Sequence, residues 1–435
     1  MGKRAEKNLL KTAIKTASRQ ATPSGSQYNS DDDNYSIASD ISEATYLSLD
    51  SEEELILDQS KSDITPEDGL KYIMELLTES RTQTREDALE KLIKLFRFNY
   101  ILEEVEPRQE TLFKYLKKAL AKGQSNKEKV LAAKAMSLLA VTLDPEDEEM
   151  FESLENGMVK VARDSDKTDV RVAFLQSLAM ICFVSGVDKH DLISLSHQYI
   201  ELLEEEDTPA PVLEAILSSL GLLVAGLKMR GQSEEVRRLF IKSIDCHFDL
   251  LDYPDASVRI AAGENVALFF EVMASAKLDH GYKYLNDLVS KINMLLHDRS
   301  RFRSKKERLH QRTAFRSIVA TVEDGENPEI KLKFKTRNVF IHSWVSMKML
   351  QHFRSVLAGG LHIHMEKNEL LADVFGDSMI FSGLAGTDSP RIVNSANSAI
   401  SKARSQQKAA HRTNLREYLD ENMGEVVDSF NELKV

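Results

Sequence analysis

A chain of 435 residues that is 42% hydrophobic can bury a large core, and its net charge of −12 gives no overall attraction to polyanions. The only two cysteines, Cys182 and Cys246, lack CxxC spacing and fall in or beside apolar helical runs, so they read as ordinary core thiols of a reducing compartment. No apolar signal core opens the chain, and the longest apolar stretch, Leu213 to Leu227, contains Glu214 and is short for a bilayer span, so the expectation is a soluble protein of the cytoplasm, the nucleus or both, with no membrane partner.

Residues 1–20 carry six Lys/Arg against one acid, with Lys7, Lys11 and Lys15 four apart. They read either as a short basic helix formed on binding or as a solvated tail of nuclear-import character. Residues 21–62 carry ten acids against one Lys and few large apolar groups, too little to offset chain entropy, so 1–62 is expected to be disordered. Serines ahead of acids there, such as Ser39, Ser42 and Ser51, would suit acid-directed kinases. Thr65-Pro66 reads as a helix entry, Thr as cap and Pro at the first helical position.

From Gly69 onward the pattern is helix after helix. Leu70, Ile73, Met74 and Leu77 recur at helical spacing, as do Ala88, Leu89, Leu92, Ile93 and Phe96, with Asp87, Glu90, Lys91 and Lys94 toward water. A signature opens successive apolar runs: Thr84-Arg85, Lys129-Val130, Val170-Arg171, Pro211-Val212 and Val258-Arg259. The second members lie 45, 41, 41 and 47 residues apart. That is the period of HEAT and armadillo repeats, about 40–47 residues. Ala173, Phe174, Leu178 and Cys182 belong to a run apolar nearly all round, as an inner helix buried by both flanking repeats requires. Pro107, Pro145, Pro209, Pro211 and Pro254 fall between helices. The expected fold is all-α: an armadillo/HEAT-like helical solenoid over 63–298, a curved rod with a long surface for a large partner. A helical C-terminal domain over 299–380 and a tail over 381–435 follow.

The chemistry of small-molecule catalysis is missing from this pattern. No Gly-rich loop ends in Lys-Ser or Lys-Thr, no Gly-x-Ser-x-Gly elbow appears, and Asp31-Asp32-Asp33 lacks the spacing of a calcium loop. His362-Ile363-His364 with Glu366 and Glu369 offers metal-ligand types, but His-x-His needs a strand to bring both rings to one side, and this segment reads as helix. The expectation is a non-enzyme with no catalytic residues, no metal, no cofactor and no small-molecule substrate.

Charge is segregated. The body, 63–298, has 42 acids against 28 bases, whereas 299–316 has eight bases and one acid, and 389–416 has six bases and no acid. In the first basic segment Arg301, Arg303, Lys305 and Lys306 lead into Arg308, Arg312 and Arg316, which are four apart and share one helix face. Phe315, Ile318, Val319 and Val322 give that helix an apolar face on which to dock. In the second, Lys402 precedes a stripe of Arg404, Lys408, Arg412 and Arg416 on a helix otherwise rich in alanine, thin enough for a narrow polyanionic channel. Forked guanidinium donors match phosphate oxygens. These twelve residues are the candidate nucleic-acid contacts. The alternative is that either helix folds back onto the acidic body. The chain closes on an acidic end, 417–435, with six acids against one Lys, which could cover the basic helix in the absence of RNA.

Several stretches resemble one family. Arg259-Ile260-Ala261-Ala262-Gly263-Glu264, through Ala267-Leu268 to Phe270-Glu271, is similar to the last armadillo-like repeat of the interferon-related developmental regulators. Gln311-Arg312, Phe315-Arg316, Val322-Glu323, Pro328 and Lys333-Phe334 resemble the start of that family's C-terminal domain. Ile341, Trp344, Phe353, Val356-Leu357, His364, Asn368-Glu369 and Phe375 resemble its remainder. Asn394-Ser395-Ala396 and Lys402-Ala403-Arg404-Ser405 look like its basic end, so the resemblance spans roughly 65–416. His342 stands where the family usually has Asp, Lys335 where Gly commonly follows, and 417–435 has no counterpart. The resemblance implies a non-enzymatic regulator. Some members look like ribosome-binding factors that occupy functional sites of idle ribosomes and place a C-terminal helix in the mRNA path. Others are described as nuclear transcriptional co-regulators that contact histone-deacetylase complexes. The partners it implies are the ribosome, meaning rRNA and ribosomal proteins, or chromatin co-regulator proteins held on the inner face of the solenoid.

Overall fold

The computed structural model describes residues 66–143, 149–185, 189–297, 305–333, 337–376 and 379–381. The helices come in pairs. α1 (Pro66–Leu76) precedes α2 (Thr82–Phe98); after the short α3 (Leu102–Val105), α4 (Gln109–Lys122) precedes α5 (Asn126–Leu143). α6 (Glu149–Asp164) precedes α7 (Thr168–Val184), and α8 (Lys189–Leu203) precedes α9 (Ala210–Met229). α10 (Ser233–Leu250) precedes α11 (Ala256–Ala276), and α12 (Leu285–Leu296) precedes α13 (Lys305–Asp324). The second helices stack in the order α2, α5, α7, α9, α11, α13, and each first helix packs on its own partner. This is the all-α helical solenoid that the repeat period predicts.

The two kinds of helix differ because they meet different surroundings. A first helix covers one side of the stack and is amphipathic: α6 buries Met150, Phe151, Leu154, Met158, Val159 and Ala162 and turns its charges outward. A second helix is enclosed by the repeats before and after it, so α7 buries every residue from Ser177 to Val184. α9 has the length and hydropathy of a membrane span, yet 78% of that window is buried inside the protein, which makes it a core helix. Cys182 is fully buried and Cys246 partly so, and both are free thiols pushed up by burial, Cys246 to about 11.

Two features depart from the expected plan. α13 is the sixth member of the stack of second helices, packing on α11 as α11 packs on α9. The region after it is not wholly helical. β1 (Ile330–Lys333) pairs antiparallel with β2 (Arg337–Ile341), Ile330 opposite Ile341, and β3 (Met379–Phe381) pairs on the other edge of β2. The alternation Ile330-Lys331-Leu332-Lys333 has strand period, but four residues are too few to outweigh the helical pattern around them.

α14 (Trp344–Leu357), a 3-10 turn (Ala358–Gly360), α15 (Leu361–Lys367) and α16 (Glu369–Phe375) then run back across the stack, touching α11, α9, α5 and α2. Ser343 caps α14 by accepting from the Ser346 amide. Glu271 of α11 accepts from the Trp344 amide at 2.5 Å, and the Trp344 indole donates to Thr321 Oγ1 of α13 at 2.7 Å. Lys348 Nζ pairs with Glu264 at 2.7 Å with its side chain 1% exposed. Gly221 on α9 makes room for it: a Cβ there would lie 3.1 Å from Lys348 Cδ and 2.7 Å from Asn265 Oδ1. Phe353 meets Phe183 of α7 and Phe375 edge-on. At the far end Arg97 Nε donates to Val356 O at 3.0 Å, His364 Nε2 donates to Phe96 O at 2.9 Å, and Asn368 Nδ2 donates to Val141 O at 2.8 Å. Trp344, Phe353 and Phe375 are buried, each contributing about 1.5–3 kcal/mol of apolar burial.

Candidate polyanion interface

The register of the second helices decides what the basic stripe of α13 is. Arg85, Lys129, Arg171 and Arg259 are each the fourth residue of α2, α5, α7 and α11, and Arg308 is the fourth residue of α13. Three of these arginines work as clamps. Arg85 Nη1 donates to the Ser80 and Glu79 carbonyls of its own turn at 2.7 and 3.0 Å. Its Nε and Nη2 donate to both oxygens of Glu128 in the next repeat at 2.6 and 2.9 Å. Arg259 repeats the arrangement, with Nη1 on the Tyr253 and Pro254 carbonyls at 2.5 and 2.7 Å and Nε and Nη2 on Gln311 Oε1 of α13 at 3.2 and 2.7 Å. Arg171 Nε donates to Ala162 O at 2.7 Å, and its Nη2 lies 3.9 Å from Glu205. Forked donors let one side chain close its own interhelix turn and also reach the following repeat.

The eighth and twelfth residues lie on the same face as the fourth, because four residues advance a helix by little more than a turn. In α2, α5, α7, α9 and α11 the eighth residues are Leu89, Ala133, Leu175, Leu217 and Gly263, and the twelfth are Ile93, Ser137, Ala179, Gly221 and Ala267. All ten are buried. The next repeat covers them: a Cβ on Gly263 would come within 2.9 Å of Ile318 Cδ1 in α13, and Leu217 O accepts from Asn265 Nδ2 in α11 at 2.8 Å. In α13 those two positions are Arg312 and Arg316. Both are exposed. Neither forms an ion pair with any of the described residues. The stripe is thus the seam of the stack at its last helix, with charge where every earlier seam is small or apolar. A terminal repeat needs a polar outer face, and these arginines supply it.

Arg308 differs from its two neighbours. It is half-buried, and its Nε is covered without an acceptor among the described residues. Its register is that of the clamp arginines. Lys305 and Lys306 open α13. Phe315, Ile318 and Val322 are buried against the stack, as the apolar periodicity predicts, and Val319 packs on the core from its edge. Arg301, Arg303, Lys402, Arg404, Lys408, Arg412, Arg416 and the acidic end 417–435 lie outside the described residues, as do 1–62.

The histidine pair is engaged elsewhere. His362 is exposed with Nδ1 against Gly359 O at 2.9 Å, while His364 is buried in α15, edge-on to Tyr100, and donates to Phe96. Among the described residues no group of three or more His, Cys, Asp or Glu is placed to hold a metal ion. His342, the residue after β2, is exposed, stacked on Phe340 and 3.7 Å from Glu329. The perturbed groups are structural. Burial lowers His247 and His352 to about 4, and burial raises Glu271 to about 7 against the opposing pull of the Trp344 and Val345 amides.

Sequence reasoning missed two things here. The Arg308–Arg312–Arg316 stripe continues the repeat register, 49 residues beyond Arg259, but its charge hid the continuity. The second helices α2, α5, α9 and α11 are covered on one side by the chain's own residues 344–375, a contact that no local pattern predicts.

Comparisons with known proteins show which family the chain resembles. The family model for interferon-related developmental regulator (IFRD) matches residues 34–323, ending at the last turn of α13. The chain is 30% identical over 333 residues to mouse interferon-related developmental regulator 2, covering 74% of this chain and 75% of the relative. It is 28% identical over 335 residues to human interferon-related developmental regulator 1, covering 74% and 73%. Among solved structures, it is similar to an engineered protein (15% identity, TM-score 0.39, covering 58% of this chain and 97% of that one). It is also similar to a designed armadillo repeat protein in complex with the peptide (KR)4 (16% identity, TM-score 0.37, covering 59% and 100%). With most of its length matched by the family model, the chain belongs to the interferon-related developmental regulator family.

Proposed function

We propose that this protein is a non-enzymatic regulator of translation that binds the ribosome through rRNA phosphates, with the open seam of α13 as one contact and the basic segment around Arg404 to Arg416 entering the mRNA path. One observation carries the reading: Arg312 and Arg316 stand exposed on the last seam, without an acid partner among the described residues, where five earlier helices carry small, apolar or neutral side chains. A seventh helix pair would not pack on charge, whereas a polyanion would be held by it. Kinship to proteins named developmental regulators is consistent with a binding rather than a catalytic role.

The second reading, a nuclear co-regulator scaffold gripping peptides along the second helices, has less support, because residues 344–375 already cover α2, α5, α9 and α11. It would need another surface.

Sedimentation of the full chain with ribosomes tests the proposal. For about five phosphate contacts the log–log salt slope should be roughly −3.5 to −4.5. Arg312→Gln/Arg316→Gln should make that slope shallower, and deletion of 391–416 should weaken sedimentation more than deletion of 1–62. Binding indifferent to salt, or equal loss from the two deletions, would refute the proposal. A nuclease-resistant pull-down of chromatin proteins would favour the scaffold.

A further inference from the structure

The first helices of the pairs face outward, and their charge is mostly acidic or balanced. α1 has three acids and one base, α6 four and two, α8 two and one, α10 four and three, and α12 one of each. α4 is the exception, with Lys114, Lys117, Lys118 and Lys122 against Glu110 alone. Its pattern is also ordered. Leu112, Leu116 and Leu120 form the buried stripe at four-residue spacing, and Lys114, Lys118 and Lys122 form a second stripe at the same spacing, all three exposed. Lys114 has a loose contact with Glu110 at 3.6 Å with both side chains largely in water, which is worth little. Lys118 and Lys122 make no ion pair with any of the described residues. On α10, by contrast, Arg237 and Arg238 are each matched by a glutamate three residues earlier.

We propose that Lys114, Lys118 and Lys122 form a second polyanion-binding surface, on the second pair of the stack, which takes the phosphate backbone of RNA. The inference rests on the RNA reading of the α13 seam and extends it to a site four stack positions away. Neighbouring helices pack about 8–10 Å apart, so the two stripes are separated by tens of ångströms and contact different stretches of one large nucleic acid. Lysine acts as a mobile point charge, so the contact follows the backbone without reading sequence. Two such sites on one polymer raise the apparent affinity beyond that of either.

The test measures salt-dependent binding of the full chain to a labelled single-stranded RNA of mixed sequence. Lys114→Gln/Lys118→Gln/Lys122→Gln should make the log–log salt slope shallower by roughly 2 to 3, three contacts' worth. The all-arginine counterpart should restore it, and unfolding midpoints should stay unchanged because the three side chains are in solvent. A slope unchanged in the glutamine variant, while Arg312→Gln/Arg316→Gln reduces it, overturns this inference and leaves the α13 reading standing. A wild-type chain whose RNA binding ignores salt removes both. An effect of the glutamine variant on polyglutamate binding but not on RNA would assign the stripe to an acidic protein and overturn the inference as stated.

Discussion

At Gly360 the returning C-terminal segment lies against the backbone of α2 at Arg97, and Gly360→Ala tests how firmly it is held. A Cβ at 360 would lie 1.7 Å from the Arg97 carbonyl oxygen and 2.5 Å from its carbon. Ordinary contact begins near 3.4 Å, so the two backbones must part by roughly 1.7 Å, and neither is the free end of a flexible side chain. Overpacking of this kind costs about 1–3 kcal/mol. The bonds on either side, Arg97 Nε to Val356 O and His364 Nε2 to Phe96 O, bind the same two segments, and loosening both costs about 1 kcal/mol each. The expected destabilisation is therefore about 3–5 kcal/mol, read from urea unfolding midpoints, with faster amide exchange at the C-terminal end of α2. Gly69→Ala is the matched control. It lies inside α1 with nothing within 4 Å of a new Cβ, so the same chemical change should stabilise by about 0.5–1 kcal/mol. A Gly360→Ala protein within about 0.5 kcal/mol of wild type would show that α2 and the turn after α14 are not held in fixed contact, and that residues 344–375 do not fasten the start of the stack.

Arg259→Lys should cost about 2–3 kcal/mol, since one ammonium cannot serve the Tyr253 and Pro254 carbonyls together with Gln311; an equal stability of the two proteins in urea would refute the clamp. Lys348→Met should destabilise by about 2–3 kcal/mol by stranding Glu264, and the added change Glu264→Gln should recover at least half; no recovery would mean that packing rather than charge is lost. His247 and His352, held near 4 when folded and near 6.5 when unfolded, should make stability fall as pH drops from 6.5 to 4, because the unfolded chain takes up protons first; a flat urea midpoint across that window would refute it. Glu271, raised to about 7, acts in the opposite sense, favouring the folded state less as pH rises from 4.5 to 7; Glu271→Gln should therefore show the steeper rise with pH, and identical slopes would count against the burial of that carboxyl.

The sequence revealed its repeats because the clamp is chemically expensive to replace. An arginine that must reach backbone carbonyls behind it and a side chain ahead of it recurs at Arg85, Arg171 and Arg259 whatever surrounds it. The paired-helix plan and the buried faces were legible for the same reason that α6 alternates and α7 does not. The end of the stack was harder to read. Arg312 and Arg316 replace the apolar residues that mark a seam, so the sixth second helix read as a separate basic segment. The role of 344–375 depends on contacts such as His364 with Phe96 and Asn368 with Val141, which join residues 268 and 227 apart. No local pattern announces such partners. The lysine stripe of α4 was legible in spacing, yet the acidic total of the body concealed it.

Arrays of like units ordinarily gain or lose members without penalty, since each touches only its neighbours. Here a chord of fixed length is strung from α11 back to α2, and its anchor points must fall opposite the same helices every time. Inserting or deleting one pair would shift Phe96 and Glu264 relative to one another while the chord stayed as long as before. The number of units is therefore fixed by the part of the chain that is not a repeat, and unfolding should proceed as one event rather than from the ends inward.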